Sequence, residues 1–149
     1  MSGSFLHRSY GRLFVLLHTE DPPDDAGWDL YLESLRALVR SGSDARILAL
    51  TDGGGPSAPQ RARLSETLEK RGRAAVVGSA IVPRFIVSTI ALFNRNVRSF
   101  SPDEIRVALD YLDLLPNESR RALEILRESA GPGAPRALRS ALAVLDRGA

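Results

Sequence analysis

The chain has 149 residues, 44% of them hydrophobic and 26% charged, with a formal net charge of +2. That length and balance suit one globular domain with a real core, and the charge is too small to argue for nucleic acid as a partner. Cysteine is absent, which removes disulfides, thiolate metal sites and cysteine nucleophiles.

The pI near 9.5 reflects arginine, since Lys70 is the only lysine. His7 and His18 lack metal-ligand spacing, and no cofactor motif is present. No apolar run reaches the ~18 residues of a membrane span, and no apolar leader opens the chain, so a cytoplasmic protein is expected.

In chain order, Phe5 to Tyr10 and Arg12 to His18 read as two strands around Gly11. The nearly unbroken apolar run Leu13-Phe14-Val15-Leu16-Leu17 suits a strand covered on both faces. Thr19 to Gly27 is an acidic loop in which Pro22-Pro23 blocks sheet pairing. Asp24 or Asp25 is expected to cap the next helix. The acidic cluster lacks the alternating ligand pattern of a calcium loop. Trp28, Tyr31, Leu32, Leu35, Leu38 and Val39 recur at helical spacing over about Ala26 to Arg40.

The strand Arg46 to Leu50 leads into Thr51-Asp52-Gly53-Gly54-Gly55-Pro56-Ser57, and a helix from Ser57 to about Arg71 leads out. A glycine-rich turn between a strand and a helix is where open α/β sheets place their sites. Ser57-Ala58-Pro59-Gln60 fits a capping box, with a hydroxyl at the cap and Gln three residues later. The turn lacks the Gly-Lys-Ser/Thr ending of a P-loop and the spacing of a dinucleotide fingerprint. Ala74 to Val77 reads as a buried strand. A helix over about 80–93, apolar on most sides, carries Arg84 as its one charge, in its first turn against the dipole preference. An anionic or acidic partner would offset that placement. Val97 to Phe100 is a short strand, and Ser101-Pro102-Asp103-Glu104 is a second helix start. Asn117 to Ala130 and Pro135 to Leu145 read as two amphipathic helices with leucine seams.

The fold class expected is α/β, a single mixed four- to five-stranded sheet packed with helices, plus two C-terminal helices. The expected division is an α/β domain over 1–115 and a helical extension over 116–149. The right-handed crossover rule places consecutive helices of the first part on a shared face.

Three stretches resemble a known family. They are Leu48 to Ser57 with its Asp and small-residue turn, the buried helix ending in Phe93-Asn94-Arg95-Asn96, and Val97 to Glu104 followed by Ala108-Leu109-Asp110-Tyr111-Leu112. Together they resemble the STAS domain of anti-sigma-factor antagonists, in the variant group that is also similar to the CRAL-TRIO lipid-binding domains. The resemblance spans about two-thirds of the chain, from Leu13 through Leu115. It implies a regulatory domain that works by binding protein partners rather than by catalysis. It also implies that Asp52 is the family's strand-end Asp, which precedes a phosphorylatable hydroxyl. Gly53 and Gly54 stand where that hydroxyl would follow, and Thr51 and Ser57 are the nearest hydroxyls on either side.

Two functions from different classes follow. One is a non-enzymatic interaction domain, a partner switch, that docks a protein on Thr51, Asp52, Gly53, Gly54, Gly55, Ser57 and Arg61 with Arg84. The other is a ligand-binding domain for a nucleotide, anion or lipid at the same turn, with Arg61 and Arg84 holding an anionic group or an apolar cavity taking a lipid tail. A homodimer through helix 80–93 or the C-terminal helices is a further expectation. No catalytic constellation accompanies Asp52, so no enzyme is expected.

Overall fold

The computed structural model describes residues 5–68, 72–78 and 96–147. The expected helix over 80–93, with Arg84, lies outside them. Strands β1 (Phe5–Tyr10) and β2 (Leu13–His18) form a hairpin. Helix α1 (Asp25–Arg40), strand β3 (Arg46–Thr51), helix α2 (Ala58–Leu68) and strand β4 (Arg73–Val77) follow. Then come strand β5 (Val97–Phe100), a 3-10 turn (Pro102–Glu104) and helices α3 (Ile105–Tyr111), α4 (Pro116–Glu128) and α5 (Arg136–Arg147).

The five strands make one mixed sheet in the order β1-β2-β3-β4-β5. Only β1 runs antiparallel to its neighbour, while β2 to β5 are mutually parallel. Every residue of β2 is buried because both faces of the sheet are covered there. Phe14, Leu16, Ile47 and Ala49 face one way and pack with Trp28, Tyr31, Leu32 and Leu35 of α1 and with Leu64 of α2. The α1 residues fall at positions i, i+3, i+4 and i+7, so one helical stripe meets one sheet face. Consecutive helices α1 and α2 share that face, as right-handed crossovers require.

Leu13, Val15, Leu17, Leu48, Leu50, Ala75 and Val77 point the other way, onto α3, α4 and α5. Leu138 and Leu145 of α5 and Leu126 of α4 belong to that same cluster. The leucine seams of the tail, which by sequence could pack back on the domain or meet a second copy, pack on the chain's own sheet. Burying such a side chain contributes about 1.5–3 kcal/mol, more than a seam left in water could supply.

Asp24 occupies the N-cap position of α1, but its side chain makes no capping hydrogen bond. The Asp25 carboxylate is engaged elsewhere, accepting from the Gln60 amide at 3.0 Å. The start at Ser101 forms as the sequence suggests, with the Ser101 N–H donating to the Glu104 carboxylate at 2.9 Å.

Candidate functional site

The glycine-rich turn leaves the C-terminal end of β3, in the middle of the sheet. Thr51 is 3% exposed. Its hydroxyl donates to the Gly54 carbonyl at 2.5 Å and accepts the Gly53 N–H at 3.0 Å, so both capacities are used inside the turn. Gly53 has φ +120°, a conformation side chains rarely adopt. Gly54 donates its N–H to the Thr19 carbonyl at 2.8 Å. A Cβ at Gly54 would collide with the carbonyl oxygens of Thr19 and Asp21. The glycines therefore serve a close approach between this turn and the loop after β2.

Asp52 reaches in the opposite direction. Its Oδ2 accepts the Arg136 N–H at 2.8 Å and its Oδ1 the Ala137 N–H at 2.9 Å. These amides open α5 and have no partner within the helix, so the carboxylate caps the helix and meets its positive dipole end. Arg136 also pairs with Glu20 at 2.9 Å. The acid that the sequence marks as a docking residue thus holds the C-terminal helix against the sheet.

Ser57 and Gln60 form the expected capping box. The Ser57 N–H donates to Gln60 Oε1 at 2.8 Å, and the Gln60 N–H reaches Ser57 Oγ at a long 3.4 Å. Gln60 does more than the motif implies. Its buried side-chain amide donates to the Pro23 carbonyl at 2.9 Å and to Asp25, while its backbone carbonyl accepts the Trp28 indole N–H at 3.1 Å. One side chain joins the acidic loop, α1 and α2. Arg61 folds back on the turn and donates to the Pro56 carbonyl at 2.8 Å. Thr51, Asp52, Gly53, Gly54, Gly55, Ser57 and Arg61 are thus one continuous structure, and Arg84 is outside the described residues.

Beneath the turn, between the sheet and helices α1 and α2, lies a pocket of about 600 Å³ counting its open mouth. Among the described residues, Leu16, Ile47, Ala49 and Val76 line it from the sheet, and Gly54, Gly55 and Pro56 line it from the turn. Trp28, Tyr31 and His18 supply its aromatic wall. His18 is 4% exposed, its Nδ1 has no hydrogen-bond partner among the described residues, and burial lowers its pKa to about 4, so the ring is neutral at pH 7. The Tyr31 hydroxyl is also buried without a partner among the described residues, and burial raises its pKa. Buried polar atoms in proteins are nearly always bonded, so two orphans on one pocket wall are a feature of that wall. The sequence presents His18 as a strand-end residue and Tyr31 as core, and gives no sign that either lines a pocket.

A second polar arrangement escapes the sequence altogether. Glu118 of α4 is 3% exposed and binds the Arg12 guanidinium through both oxygens, at 2.7 and 3.0 Å. Glu118 also accepts the Leu115 N–H at 2.8 Å. These contacts, the Arg12 bond first, hold its carboxyl below the ordinary range despite burial. Among the described residues, no group of three or more His, Asp or Glu is placed to hold a metal ion. No helix among them is long and apolar enough to cross a membrane.

No protein-family model matches the chain, and no curated protein or solved structure is significantly similar to it.

Proposed function

We infer that this chain is a non-enzymatic binding domain, and that its primary site is the pocket between the sheet and helices α1 and α2. The observation that carries this reading is the pocket itself. Its walls are mainly apolar and aromatic, and two polar atoms on them, His18 Nδ1 and the Tyr31 hydroxyl, have no hydrogen-bond partner among the described residues. The ligand is a small apolar molecule bearing a neutral hydrogen-bonding group. No described cation lines the pocket, and a neutral His18 offers an anion no charge, so nucleotides and simple anions fit it poorly. This narrows the ligand-binding alternative drawn from the sequence toward its lipid-like end.

The test is a thermal-shift and native mass spectrometry panel of fatty acids, fatty alcohols and aromatic alcohols, against nucleotides and phosphate as comparators. A ligand at a hundred times its Kd adds about 2.7 kcal/mol of stability, or roughly 5–10 °C for a chain of this size. Ala49→Leu, which places volume at the pocket floor, abolishes that shift while the chain stays folded. The reading fails if no apolar class shifts the transition, or if the shift survives Ala49→Leu.

A partner switch of the STAS kind remains the second reading, and one observation shapes it. Thr51 is buried with its hydroxyl bonded, whereas Ser57 is partly exposed and its hydroxyl makes only a long capping contact. A phosphoryl group at Ser57 would meet the N-terminus of α2, where negative charge is favoured. Phosphoproteomics of the native protein and partner capture with Ser57→Asp test it. Unmodified Ser57, together with unchanged capture, rejects the switch.

A further inference from the structure

At the opposite edge of the sheet from the glycine-rich turn, arginines stand side by side on neighbouring strands. Arg46 begins β3 and pairs in register with Arg73, which begins β4. Arg12 immediately precedes β2, and its carbonyl accepts the Arg46 N–H at 2.8 Å. Arg98 on β5 pairs with Ala75, two residues beyond Arg73. By strand alternation Arg46, Arg73 and Arg98 share the sheet face covered by α3, α4 and α5.

Three of these guanidiniums are held. Glu118 grips Arg12 through two bonds. Arg73 donates to the Tyr111 carbonyl at 2.8 Å, and its guanidinium lies 5.5 Å from the centre of the Tyr111 ring. Arg98 lies over the same ring at 5.0 Å. Arg46 alone is different. Its Nε is buried with no hydrogen-bond partner, and it makes no ion pair among the described residues. Burial and the charges of Arg12 and Arg73 lower its pKa, while Asp44 and Asp113 act the other way from beyond ion-pair distance. Like charges directly paired across strands destabilise a sheet, and a buried donor without an acceptor loses its hydration for nothing. Both costs vanish if an anion sits against Arg46.

We propose that Arg46, flanked by Arg12 and Arg73, is the central contact of a binding site for a phosphate group. The planar guanidinium fork matches phosphate oxygens in pairs, and Arg73, already fixed, contributes charge without having to be ordered on binding, whereas Arg12 is paired with Glu118. The site is independent of the apolar pocket, which lies on the other face of the sheet.

Titration of the full chain with inorganic phosphate, at low ionic strength and pH 7.5, tests the proposal by calorimetry and by the NMR signal of the Arg46 Nε–H. Saturable binding that shifts this signal is expected, with sodium chloride at matched ionic strength giving no such response. Arg46→Gln weakens phosphate binding by about tenfold or more. Without phosphate that variant melts at or above the parent temperature, because a like-charge contact has been removed. A phosphomonoester that binds more tightly than inorganic phosphate identifies an ester as the source of the group, and the reverse identifies the free ion. Phosphate that acts no differently from chloride overturns the proposal, as does undiminished binding by Arg46→Gln.

Discussion

Asp52→Ala removes the carboxylate that caps α5, and its cost can be worked from the geometry. Two backbone N–H groups, at 2.8 and 2.9 Å, lose a charged acceptor. Loss of a capping side chain typically costs about 0.5–2 kcal/mol, and a hydrogen bond to a charged group contributes about 1.5–3 kcal/mol. The Arg136 amide lies at an exposed position and water can replace its partner, whereas the Ala137 amide is partly buried and is harder to rehydrate. The 4.0 Å contact between the Arg136 side chain and Asp52 adds nothing to the sum, since that arginine is 70% exposed. The expected loss is therefore about 2 kcal/mol, or roughly 4–8 °C in Tm. Urea denaturation measures it, and the denaturant dependence should stay unchanged because the same surface unfolds. Asp52→Asn recovers part of the loss, since one oxygen can still accept. Hydrogen exchange at the first amides of α5 should accelerate in both variants. A loss under 0.5 kcal/mol, or a loss with no change in α5 exchange, would refute the assignment of Asp52 as the clasp of that helix.

Three further outcomes follow from the same structure. Gly54→Ala, which drives a methyl into two backbone carbonyls, should cost about 3 kcal/mol or more, while Gly53→Ala meets open space and carries only backbone strain of about 1–2 kcal/mol; paired thermal melts that rank the two the other way contradict this reading of the turn. His18 has a folded pKa near 4 against an ordinary 6.5, so the unfolded chain takes up the proton first. Stability should fall as pH drops from about 6.5 to about 4, by on the order of 3 kcal/mol, and an NMR titration that finds His18 protonating near 6.5 contradicts its burial. Glu118 has the same sign in a lower window. Its depressed pKa adds stability that is present above about 4.5 and lost as pH falls through the folded value, so Glu118→Gln, which costs about 1–3 kcal/mol at pH 7, should cost progressively less below pH 4.5 in acid unfolding curves.

Local signals in the chain carried most of the architecture. The apolar run of β2, the stripe from Trp28 to Leu35 and the capping boxes at Ser57 and Ser101 each lie within a few residues, and each forms as periodicity and capping chemistry suggest. Roles set by distant partners were not legible. Gln60 looks like an ordinary capping residue until Pro23, 37 positions away, is found on its amide. Asp52 reads as a docking residue because nothing near it reveals an amide 85 positions later. The seams of α4 and α5 show one apolar face each, but amphipathicity does not say whether that face meets its own sheet or another chain. Here the sheet wins because it presents a matching apolar surface that is always at hand.

The clasp between Asp52 and α5 also bears on how the chain is made. Each strand after the first hairpin is added beside its predecessor, so the sheet can assemble stepwise as it leaves the ribosome. The apolar face built from Leu48, Leu50 and Val77 is completed long before α5, which covers it, has been translated. During that interval the half-made protein carries an uncovered greasy plane and an acid without its helix. A nascent chain halted near Pro116 would leave that plane open to chaperones or to aggregation, and synthesis of α5 is the event that retires it.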